Sequence, residues 1–481
     1  MKKDLLALTV GALGASAFWV GASCRATAPA QVSTIVRPPP PPAIEPLAQP
    51  SPPEAPPSTY LEVAPGALDP FYASLDHAEE KDAGARTDLL FFGDSHTAGD
   101  QLTGYLRHEL QEKYGDAGRG FVLAGHPPIR YYTQRDITCA STGRWSAELG
   151  GKRHATEPFG MAGVRAHSDD KSAVAWVEPC ATCQVDRFDI YYLKTAASGA
   201  LGWRIDDGAW QSLPTQMSAP VVATAGSGAG TPGLPPGGME AATFPIPVPV
   251  GHHKISMRPS GGGPVELFGV AMEKSDPGVI VDSLGVVGRR LSHLYHWDWT
   301  VIGPQLTARD PALVVLQYGT NEADDPDLEL DTLAKQYDEV IARVRQYAPR
   351  ASILILGPPD MGRREAGKSC DHMPAQPPLA DGTPAPTPVE CQWLTPPVLA
   401  QIVDVQRQAA RRNGVAFFDS FGAMGGADLM DGFFHQEPAL AYSDRVHFTD
   451  RGYERWGQLL LNELLAGYAD WKERNPAARS R

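Results

Sequence analysis

The stretch that decides the fold is "DLLFFGDSHTAGD", residues 88–100. It begins with an apolar run, which predicts a buried strand, and continues into Gly93, Asp94, Ser95 and His96. The polar turn has two interpretations. It is either an N-cap for the helix that follows or a nucleophile placed at the end of a strand. Residues elsewhere in the chain decide between the two.

Four further apolar runs predict the rest of a sheet, because nearly continuous runs are typical of strands covered on both faces. These runs are 278–282, 313–318, 352–356 and 415–419. Amphipathic patterns between them predict helices. The helical patterns cover 99–115, 330–349 and 397–414. Strands that alternate with helices predict an α/β fold, with a parallel sheet and helices on both of its faces.

Residues 131–275 break this alternation. Short strand-like segments are separated there by clusters of Gly, Pro and Ser, and few helical patterns occur. Short strands with turn signals predict a β-sandwich, and "DDGAW", residues 206–210, is typical of a hairpin turn. We therefore expect an all-β sandwich domain inserted into an α/β domain made of 71–130 and 276–470, with 471–481 as a C-terminal tail.

The first 70 residues predict export and a spacer. A basic start, an apolar stretch and a small-residue exit are typical of a signal peptide over 1–24. Cys24 lies where a bacterial lipoprotein is lipidated, but Gly21 stands where such sites usually carry Leu. Lipidation, a simple cleaved signal and an uncleaved anchor therefore stay open. The Pro-rich run within 25–70 predicts a stiff linker that holds a folded body away from a membrane, with a Pro-rich partner ligand as the alternative.

The bulk composition excludes one class of partner. The chain has 481 residues, enough for more than one domain, and a formal net charge of -14. Because an acidic chain of this size repels phosphate backbones, we do not expect nucleic-acid binding.

The six cysteines predict disulfides, because export permits them. We expect a bridge between Cys370 and Cys391 at the base of a Pro-rich loop. We also expect a bridge from Cys139 to either Cys180 or Cys183. The C-x-x-C formed by the last two is weak evidence for zinc, because no second pair accompanies it.

Polar residues follow several predicted strands, at the edge where ligands gather in an open parallel sheet. Ser95 follows the first strand, the segment 283–290 the second and Asn321 the third. Asp444 and His447 lie toward the C-terminus in "DRVH". Each residue alone has a plainer role, as a helix cap or a turn residue. Their occurrence together and in this order favours a catalytic site.

These residues can perform nucleophilic catalysis. A serine hydroxyl becomes a good nucleophile only when a base takes its proton, and His447 is a suitable base near neutral pH. Asp444, three residues earlier, can reach the imidazole if the segment makes a turn, and would then fix its tautomer. We therefore predict Ser95, His447 and Asp444 as a catalytic triad.

The four blocks together resemble the SGNH (GDSL-type) hydrolase superfamily. "FGDSH" is similar to its nucleophile block, "GVVGRR" to its second block with Gly288, and "DRVH" to its D-x-x-H block. "YGTNE" is similar to its third block, with Glu322 where many members have Asp. The resemblance implies a flavodoxin-like, doubly wound α/β fold. It also implies three oxyanion donors, which are the backbone N–H of Ser95, the backbone N–H of Gly288 and the side-chain amide of Asn321.

Within the superfamily, the chain looks most like bacterial peptidoglycan O-acetylesterases. Those proteins carry a "GRGF"-like piece, here 118–121, and a β-sandwich resembling a carbohydrate-binding module between the first two blocks. The resemblance covers roughly residues 85–465. It implies an exported esterase that removes O-acetyl groups from a cell-wall polysaccharide, with no metal or organic cofactor. An acyltransferase using the same serine, an esterase for long acyl chains and a non-catalytic cell-wall-binding lipoprotein stay open.

Other chemically active side chains are expected to have structural roles. Four are expected beside the site or on the surface: His96, Asp94, His435 and Glu322. Four tryptophans are expected in the core, which are Trp297, Trp299, Trp203 and Trp210. The alternatives are that Trp203 and Trp210 stack on sugars, and that a site near Gly288 uses one of the other two.

Overall fold

The computed structural model describes residues 25–26, 60–124, 134–151, 158–217, 238–364 and 393–476. The predicted signal peptide, the lipidation site at Cys24 and the bridge between Cys370 and Cys391 lie outside these residues. Within them, no helix has both the length and the apolar character needed to cross a membrane.

The strands within the described residues are, in chain order, β1 Arg25–Ala26, β2 Leu61–Val63, β3 Arg86–Gly93, β4 Gly120–Val122, β5 Ile137–Thr142, β6 Ser146–Leu149, β7 Val164–Ser168, β8 Val174–Pro179, β9 Val185–Thr195, β10 Ala200–Ile205, β11 Gln211–Pro214, β12 Met239–Gly251, β13 Ile255–Gly261, β14 Val265–Glu273, β15 Gly278–Gly285, β16 Leu313–Gln317, β17 Ser352–Leu356, β18 Arg363–Arg364, β19 Trp393–Leu394 and β20 Ala416–Phe418. The helices are α1 Asp69–Glu79, α2 Ser95–Ala98, α3 Gln101–Tyr114, α4 Leu291–His296, α5 Trp299–Arg309, α6 Leu330–Tyr347, α7 Pro397–Asn413, α8 Ser420–Ala423, α9 Met430–His435 and α10 Asp450–Arg474.

The α/β part of the molecule is built on a six-stranded sheet in the order β15-β3-β16-β17-β20-β2. Its first five strands are parallel, and the edge strand β2 is antiparallel to β20. Among the parallel strands, β3 comes first in the chain. The next, β15, lies on one side of it, and β16, β17 and β20 follow in order on the other side. This order is that of a flavodoxin-like, doubly wound sheet, which confirms the predicted fold class.

Both faces of the parallel sheet are covered, which explains the continuous apolar runs. Successive side chains of a strand point to opposite faces. Leu90 and Phe92 accordingly belong to a core with α5, α6 and α7, whereas Leu89 and Phe91 belong to a core with α1, α3 and α10. The central strands are therefore apolar at almost every position.

The strands from β4 to β14, together with β1, form two further sheets. One has the order β1-β5-β8-β13-β10-β11, and the other has the order β12-β9-β14-β7-β6 with β4 paired to β14. Almost all of these pairs are antiparallel, and the apolar faces of the two sheets enclose a separate core. The predicted all-β sandwich is confirmed. The predicted hairpin turn joins β10 to β11, with Asp206 in the left-handed region at φ 51.

A buried ionic cluster joins the sandwich to the parallel sheet. Glu273, at the end of β14, pairs with Arg309 of α5 and with Arg86 of β3, the latter at 2.5 Å. Arg309 also lies 2.7 Å from Asp282 of β15. Burial opposes ionisation of Glu273, but the neighbouring arginines outweigh it and hold the pKa of this carboxyl below its ordinary value. The cluster therefore fixes β14 against the parallel sheet.

Three predicted boundaries need correction. β2 lies in the parallel sheet and α1 begins at Asp69, so the linker predicted over 25–70 ends earlier. β4 pairs with β14 of the sandwich, although the sequence placed it in the α/β segment. The last helix extends to Arg474 and buries Trp471, so a tail starting at 471 is wrong. β2 and β4 have three residues each, too few to show a periodic pattern.

The predicted bridge from Cys139 to the C-x-x-C pair is also wrong. Cys180 and Cys183 are bonded to each other, with their Cα atoms 5.0 Å apart. A tight turn brings them together, because the backbone N–H of Cys183 donates to the carbonyl oxygen of Cys180 at 2.9 Å. Cys139 is disulfide-bonded as well, and neither member of this pair is its partner.

Candidate active site

The four sequence blocks meet at the carboxyl edge of the parallel sheet. Ser95 begins α2 directly after β3. Gly288 lies in the loop after β15, and Asn321 lies in the loop after β16. The segment from Asp444 to His447 lies between α9 and α10. The topology thus brings together residues that are up to 352 positions apart in the chain.

The turn after β3 frees the Ser95 hydroxyl. Asp94, and not Ser95, caps α2, because its Oδ1 accepts the backbone N–H of His96 at 2.9 Å. A Cβ atom at Gly93 would lie 2.1 Å from the Thr97 hydroxyl, so only glycine fits at the end of the strand. The interpretation of Ser95 as the helix cap is therefore wrong, and its side chain is available for another partner.

Ser95, His447 and Asp444 form one chain of hydrogen bonds. His447 Nε2 lies 2.8 Å from Ser95 Oγ, and His447 Nδ1 lies 2.7 Å from Asp444 Oδ2. A carboxylate only accepts, so Nδ1 carries the proton and Nε2 accepts from the serine hydroxyl. Partial burial would raise the pKa of Asp444, but hydrogen bonds from His447 overcome this and lower it to about 2. Asp444 is therefore an anion at neutral pH.

The D-x-x-H turn is anchored by Arg445, which sequence reasoning missed. Arg445 lies in the left-handed region at φ 56 and is buried. Its carbonyl oxygen accepts the N–H of Gly362 at 2.7 Å, and its Nε donates to Asp431 at 2.9 Å. Its guanidinium also lies 3.7 Å from the ring centre of Phe434. An arginine inside a motif gives no sign in the sequence that it is buried, so the tertiary contacts alone identify it.

The three predicted oxyanion donors lie on adjoining loops. Gly288 is exposed and in the left-handed region at φ 72, which favours glycine. Within the described part of the chain, neither its N–H nor that of Ser95 donates to another group. The amide Nδ2 of Asn321 lies 3.3 Å from Asp94 Oδ2 and 3.1 Å from the carbonyl oxygen of Arg289. The amide is therefore held beside the residue that precedes the nucleophile.

Glu322 ties the two oxyanion loops together. Its carboxylate accepts the N–H of Leu291 at 2.7 Å and the N–H of Gly319 at 2.9 Å. Arg290 Nε adds a bond at 2.9 Å to the carbonyl oxygen of Asn321. Burial raises the pKa of Glu322 to about 7, despite these N–H donors. The sequence placed Glu322 beside the site or on the surface, and the structure places it beneath the site.

His96 is buried and is not placed to act as the base. Its Nδ1 lies 2.9 Å from the Tyr453 hydroxyl, and its ring centre lies 5.3 Å from that of His447. Burial, with His447 as a further cause, lowers the pKa of His96 well below its ordinary value. His435 is exposed, and its Nε2 lies 3.6 Å from a carboxylate oxygen of Asp431.

The tryptophans follow the core prediction in part. Trp297 and Trp299 are buried in the core beside the parallel sheet, and Trp203 packs against the core of the sandwich. Trp210 is different, because the guanidinium carbons of Arg204 and Arg258 lie 4.9 and 4.0 Å from its ring centre. The expectation that Trp210 is a core residue is wrong.

This arrangement supplies the parts that acyl transfer needs. It contains a nucleophile, a base, an anion that orients the base, and N–H donors at an adjoining edge. Across the ranges that the structure describes, no group of three or more His, Cys, Asp or Glu side chains could hold a metal ion.

One protein family matches part of this chain. Residues 261–455 match the model of the GDSL-like Lipase/Acylhydrolase family. The matched segment contains Gly288, Asn321, Asp444 and His447, while Ser95 lies before the sandwich strands and outside the match. No curated protein matched the chain by sequence.

This chain is similar to several solved structures. A peptidoglycan O-acetylesterase superposes with a TM-score of 0.62 at 20% identity, covering 85% of this chain and 99% of its own. A lipase/acylhydrolase from Enterococcus faecalis matches at 18% identity and a TM-score of 0.25, covering 39% of this chain and 76% of its own. An acetyl xylan esterase matches at 16% identity and a TM-score of 0.27, covering 38% and 79%. The first of these likenesses shows that the two proteins share a fold over most of their lengths.

Proposed function

We propose that this chain, whose α/β domain belongs to the GDSL-like lipase/acylhydrolase family, is an exported serine esterase that hydrolyses O-acetyl esters on a cell-wall polysaccharide. Peptidoglycan is the substrate that the proposal favours. The observation that carries it is the hydrogen-bonded chain from Asp444 through His447 to Ser95. A fold shared over 85% of the chain with a peptidoglycan O-acetylesterase supports the choice of substrate.

The geometry leads to a two-step reaction. Ser95 Oγ attacks the acetyl carbonyl carbon while His447 Nε2 takes the hydroxyl proton. Negative charge develops on the carbonyl oxygen, and the N–H groups of Ser95, Gly288 and Asn321 stabilise it. The C–O bond to the sugar then breaks, and His447 returns the proton to the departing sugar oxygen. Water attacks the acetyl-serine by the same route, which releases acetate and restores the serine.

Two buried carboxyls near the site, Asp94 and Glu322, are held by other groups and are not placed to carry the proton, which leaves this role to His447. Burial raises the pKa of Asp94 to about 7, but its Oδ1 accepts the N–H of His96 and its Oδ2 faces Asn321. Glu322 is likewise engaged by backbone N–H groups. Neither carboxyl has a hydrogen bond to Ser95 or His447 among the described residues.

Location in the cell envelope is part of the proposal. The predicted signal peptide, the Pro-rich linker and a lipid anchor at Cys24 would hold the esterase at a membrane surface, within reach of the cell wall. Radiolabelled fatty acid incorporated into the wild-type protein but not into Cys24→Ser would support the anchor. Equal labelling of both would refute it.

The function is tested by acetate release from O-acetylated peptidoglycan. The wild-type protein should release acetate, and Ser95→Ala should not. Ser172→Ala, at an exposed turn of the sandwich, serves as the matched serine control and should act like the wild type. A fluorophosphonate label should attach to Ser95. Equal release by the wild type and Ser95→Ala would refute the proposal, and a preference for long-chain over acetyl p-nitrophenyl esters would redirect it to lipids.

A further inference from the structure

A two-stranded ribbon contacts two of the segments that form the candidate active site. It consists of β18 and β19, in which Arg363 is opposite Leu394 and Arg364 is opposite Trp393. Each strand has only two residues, too few for a hairpin that is stable by itself, so tertiary contacts hold the ribbon in place. These contacts go to the D-x-x-H turn and to the loop after β16, which carries Asn321.

The ribbon packs tightly against the D-x-x-H turn. Gly362, which directly precedes β18, donates its N–H to the carbonyl oxygen of Arg445 at 2.7 Å. A Cβ atom at Gly362 would lie 2.9 Å from the Cβ of Arg445 and 3.2 Å from the Cβ of Trp393, so a glycine permits this close approach. The guanidinium carbon of Arg445 lies 4.9 Å from the ring centre of Trp393, within the range of a cation–π contact. The turn from Asp444 to His447 therefore rests against the ribbon.

Arg445 needs this support, because its backbone conformation is unfavourable. It lies in the left-handed region at φ 56, which a residue other than glycine keeps only where the surrounding contacts fix it. Its neighbours in the turn, Val446 and His447, donate their N–H groups to Asp444 Oδ1 at 2.9 and 3.0 Å. A change in the backbone of Arg445 would therefore move the carboxylate relative to the imidazole.

The ribbon is also tied to the loop after β16. Arg363 Nε donates to Asp324 Oδ1 at 2.7 Å, and its Nη2 donates to the other oxygen of the same carboxylate. Asp324 lies three residues after Asn321. An exposed ion pair adds little to stability, but a two-point pair between an arginine and a carboxylate has a defined geometry. The ribbon thus contacts both the segment with the base and the segment with an oxyanion donor.

The base of the ribbon is fixed by a buried carboxylate. Asp360 Oδ1 accepts the hydroxyl of Thr395, the residue after β19, at 2.6 Å. Its Oδ2 accepts the N–H of Leu429 at 2.8 Å. The N–H of Thr395 also donates to Asp428 at 2.8 Å. The ribbon is therefore anchored at its base and can hold other segments in a fixed position.

We propose that the ribbon positions the catalytic groups of the esterase. Trp393 acts on the D-x-x-H turn through Arg445, and Arg363 acts on the loop after β16 through Asp324. Each of the two acts through another residue, so both are positioning residues and not catalytic ones. This inference rests on the proposed ester hydrolysis by Ser95, but not on the identity of the polysaccharide.

Three substitutions of Trp393 test its contact with Arg445, with kcat and KM for p-nitrophenyl acetate as the readout. Trp393→Leu keeps an apolar side chain but removes the ring, and should lower kcat about 10- to 100-fold with little change in KM, because small displacements of catalytic groups are costly. Trp393→Ala should be at least as slow. Trp393→Phe keeps a ring beside the guanidinium and should stay within about threefold of the wild type.

A spectroscopic readout reports the bond between His447 and Asp444 without any substrate. The Nδ1 proton of His447, in a hydrogen bond of 2.7 Å to Asp444, should give a downfield proton resonance that is absent from His447→Ala. This resonance should move upfield or broaden in Trp393→Leu and should stay in place in Trp393→Phe. A purely structural role for Trp393 would leave it unchanged in every folded variant.

A double-mutant cycle tests the second contact of the ribbon. Arg363→Gln should lower kcat about 3- to 10-fold in the wild-type background, because it releases the loop after β16. In the Asn321→Ala background the same change should lower kcat by less than about twofold, because the loop then carries no donor that can be displaced.

Matched controls keep the same residue types away from the ribbon. Trp176, partly buried on β8 of the sandwich, has the Nζ of Lys254 at 5.9 Å from its ring centre. Arg350 is exposed, pairs with Asp310 and directly precedes the loop into β17, away from the carboxyl ends of the strands. Trp176→Ala and Arg350→Gln should match the wild type in both assays.

The outcomes separate this inference from the proposed function. A kcat for Trp393→Leu within about threefold of the wild type, or equal losses in Trp393→Leu and Trp393→Phe, would overturn the role of the ring. Additive effects of Arg363→Gln and Asn321→Ala would overturn the link to the loop after β16. A wild type without Ser95-dependent turnover would overturn the proposed function instead, and the His447 resonance would still test Trp393. Circular dichroism checks that each variant folds, and Trp393→Leu and Trp393→Phe decide the matter where Trp393→Ala does not.

Discussion

Replacing Asn321 with alanine should isolate the oxyanion contribution of its side chain. In the resting site the amide nitrogen lies 3.3 Å from Asp94 Oδ2 and 3.1 Å from the carbonyl oxygen of Arg289. Both distances are at or beyond the long end of N–H···O bonds, so a developing oxyanion competes with weak partners only. We therefore expect nearly the full cost of one lost donor, about 2.7–4 kcal/mol, which lowers kcat roughly 10²- to 10³-fold.

The assay separates this effect from substrate binding and from folding. Asn321→Ala should lower kcat on p-nitrophenyl acetate with little change in KM, because the donor acts on charge that exists only in the transition state. Asn321→Asp keeps the shape but replaces the donor by a carboxylate beside Asp94, and should be at least as slow. Urea unfolding should show that both variants fold. A kcat for Asn321→Ala within about threefold of the wild type would remove Asn321 from the oxyanion site.

Three further variants test the supporting groups. Asp444→Asn should lower kcat about 10³- to 10⁴-fold, because it leaves His447 in the wrong tautomer; a loss below about tenfold would contradict the triad. Burial raises the pKa of Glu322 from 4.5 to about 7, so the native state holds this proton more tightly than the unfolded state and the free energy of unfolding falls as pH rises through that window, by about 3 kcal/mol. Glu322→Gln should flatten this fall in urea titrations between pH 5 and pH 8, and an unchanged slope would refute the assignment. Glu273→Gln removes one of the carboxylates that neutralise Arg309 and Arg86, leaves Asp282 beside Arg309, and should cost about 3–5 kcal/mol of unfolding free energy. A loss below about 1 kcal/mol would show that the remaining carboxylates and water neutralise the cluster.

The fold could be predicted where a pattern is long enough to be periodic. All five parallel strands appear in the sequence as apolar runs, and β17 matches its run residue for residue. The three-residue strands β2 and β4 carry no such pattern, and they belong to their sheets only because neighbouring strands are already in place. Their pairing is a tertiary effect, which no local signal announces.

The candidate site also contains residues that the sequence could identify and residues that only tertiary contacts reveal. Ser95, His447 and Asp444 could be predicted because their chemistry is specific and each lies in a recognisable block, and the structure brings them within hydrogen-bond distance. Glu322 and Arg445 could not be interpreted in this way. Their roles depend on which loops adjoin them, and a sequence gives neither the burial of a charge nor the identity of its counterion.

The contrast between the two histidines shows why the base must come from a distant segment. His96 follows Ser95 on α2, and consecutive helical residues point about 100° apart, so the two side chains leave the helix in different directions. It enters the protein interior and contacts Tyr453 and Trp456. There it packs beside the ring of His447. A charged His96 would repel the imidazolium that forms during catalysis, and burial prevents this by lowering the pKa of His96. The neighbour that looked most reactive in the sequence thus contributes by remaining neutral beside the imidazole of His447.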